Sequence, residues 1–215
     1  MFDELKELVA AYKKRDPAAR SAVEIALLYP GVRAVLAHRR AHKHYEKGHF
    51  YRARHISQHA RRATGIEIHP GATIGRRLVI DHGMGVVIGE TTQIGDDVLL
   101  YQGVTLGGTG KETGKRHPTI GNNVLIGSGA KVLGPFKVGD NSRIAANAVV
   151  LKEVPDNATA VGVPARIVKL DGQKMDYASE VDQINVADPT AVELVCLREQ
   201  INAIFRQMDF SAPKR

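Results

Sequence analysis

The chain of 215 residues carries 30 lysines and arginines against 23 aspartates and glutamates, a formal net charge of +7. Hydrophobic residues make up 43% and charged residues 25%, which is typical of a globular protein with a core. No apolar run approaches the roughly 18 residues of a membrane span, and the N-terminus lacks a secretion signal. We therefore expect a cytoplasmic protein, and its one cysteine, Cys196, excludes an intrachain disulfide framework.

Much of the positive charge lies between residues 33 and 62, where nine cations face only Glu46. They are Arg33, Arg39, Arg40, Lys43, Lys47, Arg52, Arg54, Arg61 and Arg62. A solvated helical face is the first interpretation, and contact with an anionic ligand or an acidic partner is the alternative. No known nucleic-acid-binding signature accompanies the charge, so we expect no nucleic-acid partner.

Residues 1–64 predict an N-terminal helical domain of four short helices. Apolar residues recur at helical spacing in the first helix, at Phe2, Leu5, Leu8 and Val9. Asp16 followed by Pro17 predicts the N-cap and first residue of a second helix. Pro30 is expected to end that helix, and a third should begin near Val32.

The next part of the chain has an aliphatic residue at almost every sixth position. These positions are Ile68, Ile74, Ile80, Ile88, Ile94, Leu100, Leu106, Ile120, Ile126, Val132, Val138, Ile144 and Val150. The spacing slips twice, by two residues before Ile88 and by eight between Leu106 and Ile120. Slips in a repeat protein map to loops, which often lie on the binding face.

A six-residue period predicts a β-helix over residues 65–168. Glycine often follows the aliphatic position, and three six-residue strands make an 18-residue coil, so that Ile126 and Ile144 should stack on neighbouring coils. Each strand then pairs in parallel with the strands above and below, closing three sheets into a triangular prism. The period does not determine the handedness of the prism.

The six-residue spacing ends at Val168, and we expect a C-terminal tail over residues 169–215. The tail should be irregular to about residue 187, and Asp188 before Pro189 predicts a helix over about 189–208. Its apolar residues step by three and four: Leu194, Leu197, Ile201, Ile204 and Met208. Packing against the rest of the chain and self-association through this seam both remain open. The predicted fold class is α+β: helical module, parallel β-helix and C-terminal helix.

Four strings resemble the serine O-acetyltransferases, a family of hexapeptide-repeat acyltransferases. They are GIEIHPGATIG from residue 65, IDHGMGVVIGET from residue 80, QGVTLGGTGKETGKRHPTIG from residue 102 and GVPARIV from residue 162. Arg15-Asp16-Pro17-Ala18 also matches a segment of the family's helical domain. The resemblance implies a left-handed prism that transfers acetyl from acetyl-CoA to the L-serine hydroxyl, giving O-acetylserine in cysteine biosynthesis.

His82 is the candidate general base for this reaction. A base near its working pH must take the hydroxyl proton during attack, and the unperturbed pKa of histidine is near 6.5. The family assigns this role to the matching histidine, beside the first slip. It also supplies a carboxylate that steadies the base, and Glu67 stands at that position, fifteen residues or nearly one coil before His82.

Serine is a zwitterion, so its site needs carboxylates for the ammonium and cations for the carboxylate. The resemblance points to Asp81 and Asp16 for the ammonium. It points to Arg116 with His117 for the serine carboxylate and the reacting centre. Asp16 could equally serve only as a helix cap, or do both.

The loop that starts at Gly107 resembles the segment that covers acetyl-CoA in a groove between adjacent prisms. The resemblance implies acetyl-CoA as a co-substrate, no tightly bound cofactor and no metal. Small residues would let the pantetheine arm approach the backbone, at Gly107, Gly108, Gly129, Ala130 and Ala146. Lys131, Arg166 and Lys169 are candidate partners for the CoA phosphates.

Parts of the sequence are also compatible with two other classes of function. A zinc carbonic anhydrase on the same prism would need His69, His82 and His117 on one metal, but their neighbouring residues match the acetyltransferases instead. A scaffold role could use the basic helices or the C-terminal seam. The family characteristically docks a C-terminal isoleucine into O-acetylserine sulfhydrylase, and this sequence ends in Arg215, so we do not expect that mode. The shared groove implies a homotrimer.

Overall fold

The computed structural model describes residues 2–110, 113–174, 197–198 and 200–204. Its four N-terminal helices are α1 (Phe2–Arg15), α2 (Ala22–Leu28), α3 (Pro30–Glu46) and α4 (Phe50–Thr64). Residues 197–198 and 200–204 are also helical, and their side chains Leu197, Ile201 and Ile204 are about half exposed. Most of the predicted helix over 189–208, including Leu194 and Met208, lies outside the described residues.

The second helix does not begin where Asp16 predicts. Asp16 Oδ1 accepts a hydrogen bond of 2.7 Å from the backbone N–H of Ala18, two residues ahead, so it closes a turn and caps no helix. Helix α2 is capped by Ser21, whose hydroxyl accepts the N–H of Glu24 at 3.1 Å. Pro30 opens α3 at its first turn instead of ending α2, because proline has no N–H to satisfy there.

Sixteen short strands follow within the described residues. They are β1 (Glu67–Ile68), β2 (Thr73–Ile74), β3 (Val79–Ile80), β4 (Val87–Ile88), β5 (Gln93–Ile94), β6 (Leu99–Leu100), β7 (Thr105–Gly107), β8 (Thr119–Ile120), β9 (Leu125–Ile126), β10 (Lys131–Leu133), β11 (Lys137–Val138), β12 (Arg143–Ile144), β13 (Val149–Val150), β14 (Thr159–Val161), β15 (Arg166–Leu170) and β16 (Gln173–Lys174).

These strands form three sheets. The first sheet has the order β1-β4-β7-β10-β13, the second β11-β8-β5-β2 and the third β16-β15-β14-β12-β9-β6-β3. All pairs are parallel except those of β14 with β15 and of β15 with β16. From β1 to β13, consecutive strands lie on consecutive sheets, so the chain winds around a prism with three corners. The predicted fold class is confirmed.

The thirteen aliphatic positions of the six-residue pattern are all buried in the prism. Ile126 and Ile144 are partners in neighbouring strands, as the coil length predicts. The expectation of irregular chain after Val168 is wrong for the residues up to 174, where β15 and β16 form an antiparallel hairpin. A hairpin has no six-residue period, which is why the pattern gave no sign of it.

Two corners of the prism concern the site. The third–first corner comprises the turns from the third sheet to the first: residues 81–86, 101–104, 127–130 and 145–148. The first–second corner comprises the turns from the first sheet to the second: residues 69–72, 89–92, 108–118 and 134–136. The first slip lies at the third–first corner and the second slip at the first–second corner.

The helices pack on the first strands of the third and first sheets, β3 and β1. Tyr12 is fully buried, and its hydroxyl donates to the carbonyl of Ile80 and accepts from its N–H, both at 3.0 Å. A Cβ at position 31 would overlap that hydroxyl, so Gly31 allows the approach. Most cations of the basic stretch from 33 to 62 are exposed, as expected of a solvated helical face. Arg39 is the exception, because it bonds to Glu4 and to the carbonyls of Ile74 and Gly75.

Candidate active site

The third–first corner presents His82 to the outside. The strand β3 ends at Ile80, and His82 then takes a left-handed backbone conformation with φ of 57°. Its N–H donates to Asp81 Oδ1 at 2.9 Å, and its side chain is exposed. The two extra residues of the first slip lengthen this turn, and the longer turn directs the histidine outward.

Asp16 and Asp81 both act on two tyrosines, Tyr29 and Tyr101. Asp16 Oδ2 accepts a hydrogen bond of 2.8 Å from Tyr29, and this bond raises the pKa of Tyr29 to about 12, with smaller contributions from burial and from the charges of Asp16 and Asp81. The same two carboxylates act on Tyr101, whose pKa is raised chiefly by burial. The two carboxylates that the sequence predicts for an ammonium group therefore both lie within electrostatic range of Tyr29 and Tyr101.

Glu67 does not contact His82 in the part of the chain that the structure describes. Its carboxylate forms an ion pair of 3.2 Å with Arg61 at the end of α4. Its partner in register is Val87, in the strand that leaves the His82 turn. The residue is therefore in the predicted neighbourhood, but the predicted hydrogen bond to the imidazole is not formed.

Arg116 and His117 lie at the first–second corner, away from His82. Arg116 Nη2 is 2.6 Å from Glu90 Oε2, and Tyr45 donates to Glu90 Oε1 at 3.1 Å. Burial opposes ionisation of Glu90, but the hydrogen bonds from Arg116 and Tyr45 outweigh it and lower its pKa. This network fixes the guanidinium at the end of the long loop.

His117 is buried against the preceding coil. Its Nδ1 is 2.9 Å from Thr91 Oγ1 and 3.2 Å from the Thr91 backbone nitrogen. A Cβ at position 89 would overlap the ring, so only glycine leaves room for it. Burial, followed by the positive charge of Arg116, lowers the pKa of His117.

His69 lies at the same corner, one coil below Thr91. Its Nδ1 accepts the N–H of Gly71 at 3.0 Å, and burial lowers its pKa. His82 is at the other corner, so the three histidines of the metal alternative do not meet within one chain. Among the described residues, no group of three or more His, Cys, Asp or Glu could hold a metal ion.

A column of small residues runs up the third–first corner above His82. Backbone hydrogen bonds connect its successive turns. The N–H of Gly103 donates to Met84 O at 2.9 Å, and the N–H of Gly129 donates to Gln102 O at 2.8 Å. The N–H of Asn147, the residue after Ala146, donates to Ser128 O at 2.8 Å. Of the predicted acetyl-CoA residues, Gly129 is in this column and Ala146 lies next to its upper end.

Other predicted acetyl-CoA residues are distributed more widely. Ala130 is fully buried in the prism core and its backbone is bonded within the prism, so it cannot line an external groove. Lys131 reaches the column, where its Nζ bonds to Gly103 O at 2.5 Å. Gly107 and Gly108 are at the first–second corner, at the start of the long loop.

Arg166 and Lys169 are in β15, at the far end of the third sheet. Arg166 is exposed. Lys169 lines an open cavity of about 360 Å³ with Arg143 and Thr159. The cavity is on the outer face of the sheet and does not include the small-residue column.

Several residues of the site have no role in the sequence prediction. Tyr29 holds Asp16, Tyr45 and Glu90 hold Arg116, and Thr91 holds His117. Glu90 and Thr91 end the string IDHGMGVVIGET, so their position in a family motif was a usable signal. Nothing in the spacing of the helical tyrosines indicates that they approach the prism.

Comparisons with known proteins show which family this chain resembles. A family model described as bacterial transferase hexapeptide (six repeats) matches residues 117–152. A serine acetyltransferase of Bacillus subtilis (strain 168) is 54% identical over 200 residues, 93% of this chain and 91% of its own. A helix able to cross a membrane is not found among the described residues.

Solved structures of serine acetyltransferases have the same fold. The enzyme of Brucella abortus strain S19 in complex with coenzyme A is 44% identical, with a TM-score of 0.76 over 78% of this chain and 67% of that chain. The soybean enzyme complexed with serine is 43% identical, with a TM-score of 0.75 over 77% of this chain and 68% of that chain.

Proposed function

Since this chain belongs to the serine acetyltransferase family, we infer that it transfers the acetyl group of acetyl-CoA to the hydroxyl of L-serine. The products are O-acetylserine and free CoA. The observation that carries the assignment of the site is the exposed His82, held in a left-handed turn beside Asp81 at the foot of a column of small residues.

His82 is the proposed general base. As the serine oxygen forms its bond to the acetyl carbon, its proton passes to the imidazole, and the carbon–sulfur bond then breaks. The CoA sulfur leaves with the electron pair and recovers a proton from the imidazolium, so no covalent enzyme intermediate is needed. Donors of the long loop are proposed to stabilise the tetrahedral oxyanion.

Glu67 is the proposed acceptor for the second imidazole nitrogen. The register beside Val87 supports this role, because it puts the carboxylate on the strand next to the His82 turn. Arg61 holds the carboxylate at 3.2 Å, and both side chains are partly exposed, at 55% for Arg61 and 28% for Glu67. For this role the Glu67 carboxylate must break its ion pair with Arg61 and form a hydrogen bond with His82 when the site is assembled.

The serine-binding residues are proposed to come from two chains. Asp16 and Asp81 would hold the ammonium at the third–first corner, whereas Arg116 and His117 would hold the carboxylate and the reacting centre from the first–second corner. A contact between different corners of identical prisms is heterologous, and three such contacts close a ring. We therefore propose a homotrimer with one site in each groove.

Acetyl-CoA is proposed to lie in the same groove. Gly129, Ala146 and Lys131 would line it on one chain, and Gly107 and Gly108 on the other. Arg166 is exposed just beyond the upper end of the column and is proposed to contact a phosphate. Lys169 would reach the ligand only from the outer face of the third sheet, which makes it the weakest member of the set.

Acetyl transfer assayed against serine, homoserine, a galactoside and maltose tests the substrate assignment. Serine should be acetylated fastest, and another acceptor that is acetylated at an equal rate would refute the assignment. The His82→Ala variant should lose about 10² to 10⁴ of kcat while still binding CoA, since general-base catalysis contributes that much. Normal turnover in this variant would eliminate the proposed base.

Mixing two inactive variants tests the shared site. In a mixed trimer of His82→Ala and Arg116→Ala chains, some grooves combine an intact third–first corner with an intact first–second corner. Random assembly from equal amounts should restore about a quarter of the wild-type activity. Each variant alone should stay inactive, and an inactive mixture whose chains are shown to exchange would contradict sites built from two chains.

A further inference from the structure

Thr91 makes a set of hydrogen bonds that determines which nitrogen of His117 carries a proton. Its Oγ1 is 3.0 Å from the backbone nitrogen of Arg116 and 3.1 Å from that of His117. Backbone N–H groups can only donate, so these two bonds occupy both acceptor positions of the hydroxyl. The third contact of Oγ1, with His117 Nδ1 at 2.9 Å, must therefore use the hydroxyl proton.

The backbone of Thr91 gives the same assignment independently. Its N–H reaches His117 Nδ1 at 3.2 Å and, like any backbone N–H, can only donate. His117 Nδ1 thus receives two donors and has no proton of its own. A histidine with an unprotonated Nδ1 is neutral and has its proton on Nε2.

The Nε2 atom of His117 remains available to a ligand. It makes no hydrogen bond with the residues that the structure describes. It is also not fully buried, so a ligand can reach it. Only 8% of the residue is exposed, so the ring is fixed while this one edge reaches the surface.

The charged groups around His117 come from three elements. Arg116 and Lys115 in the long loop disfavour an imidazolium, Glu90 in the turn after β4 favours it, and His69 lies in the turn below. Burial acts in the same direction as the two cations and lowers the pKa of His117. Electrostatics and the hydrogen bonds of Thr91 therefore favour the same state.

We propose that Thr91 is a positioning residue that keeps His117 as a neutral hydrogen-bond donor through Nε2, directed at the serine substrate. This rests on the proposed function, in which His117 contacts the reacting serine. The two imidazoles of the site then have opposite tasks, because His82 must accept a proton and His117 must supply a hydrogen bond. The Thr91 hydroxyl prevents His117 from competing as a second base.

Nitrogen NMR of ¹⁵N-histidine protein tests the state of His117 without any activity. The signals are assigned by their loss in a His117→Asn variant. At pH 7 the wild-type ring should show an unprotonated Nδ1 and a protonated Nε2. A protonated Nδ1 would overturn the proposal while leaving the acetyl-transfer assignment untouched, which the wild-type assay measures separately.

Two variants test the role of the hydroxyl. Thr91→Val removes it, so the pKa of His117 should rise and kcat/KM for serine should fall about tenfold, with KM for acetyl-CoA unchanged. Thr91→Ser keeps the hydroxyl and should match the wild type in both. Thr73→Val, which removes an exposed hydroxyl on the second sheet, is the control and should change neither.

If Thr91→Val does not fold, the Thr91→Ser variant and the nitrogen spectrum of the wild type still test the role of the hydroxyl. A Thr91→Val protein with wild-type nitrogen shifts and kinetics would show that the hydroxyl has no positioning role. Equal losses in Thr91→Ser and Thr91→Val would also refute it, because the proposal depends on the hydroxyl and not on the methyl group.

Discussion

The Tyr12 hydroxyl covers the open edge of the third sheet, and its removal should destabilise the protein strongly. The strand β3 is the last of its sheet and pairs only with β6, so the N–H and C=O of Ile80 point away from the sheet. Both are satisfied by Tyr12, at 3.0 Å each, in a fully buried position. An edge strand has unpaired N–H and C=O groups, and proteins commonly cover them with another element. Here Tyr12 of α1 does so.

The Tyr12→Phe variant leaves both backbone groups of Ile80 buried without a partner. Each unsatisfied group costs about 1 to 3 kcal/mol, so the free energy of unfolding should fall by about 2 to 6 kcal/mol. That is a large fraction of the roughly 5 to 15 kcal/mol that typically stabilises a folded protein. Since Asp81 follows Ile80, the affinity for serine should also fall.

Urea denaturation followed by circular dichroism measures this change, at equal protein concentration for each variant. The matched control is Tyr51→Phe, which removes the hydroxyl of a side chain that is 84% exposed, and it should lie within about 0.5 kcal/mol of the wild type. A Tyr12→Phe protein as stable as this control would show that Ile80 has no need of the hydroxyl.

Two further substitutions test the site and the acid sensitivity of the fold. Gly89→Ala would push a methyl group into the His117 ring, so the variant should fold, as judged by circular dichroism, but lose about 10²-fold in kcat/KM for serine; full activity would mean that the ring position is unimportant. The hydrogen bond from Arg77 to Asp97 lowers the pKa of that carboxyl below its ordinary 3.8, so its stabilisation is present above that value and lost as the pH falls through the lower folded pKa. Denaturation midpoints from pH 5 to 2 should therefore fall less steeply in Asp97→Asn, and an identical acid slope would refute the assignment.

The prism could be predicted from the sequence because its interior is narrow and admits one kind of residue at each coil position. All thirteen aliphatic positions are buried, whatever the chain does at its corners. The helical part was harder. Asp16 before Pro17 has the chemistry of a helix cap, but Ser21 followed by Glu24 at the third position is the pair that caps α2. A local pattern cannot choose between two such signals when both are present.

The candidate residues could be named from motifs, but their contacts depended on packing that no motif contains. Asp16 and Asp81 act on the same two tyrosines because the helices pack against the prism, and Tyr29, which holds Asp16, belongs to no repeat. The family resemblance assigns Glu67 to His82, and their separation of nearly one coil is compatible with a contact. The structure gives it Arg61 instead, because α4 ends beside the first sheet and supplies a nearer cation.

The separation of the two half-sites follows from the order of the aliphatic positions. Ile80 is the third position and Leu106 the seventh, and since consecutive positions occupy consecutive sheets, they belong to the third and the first sheet. The turn after Ile80 and the loop after Leu106 must then emerge at different corners. His82 and Arg116 are therefore at different corners of one prism, and this separation is what supports the proposal that each serine site combines residues of two chains.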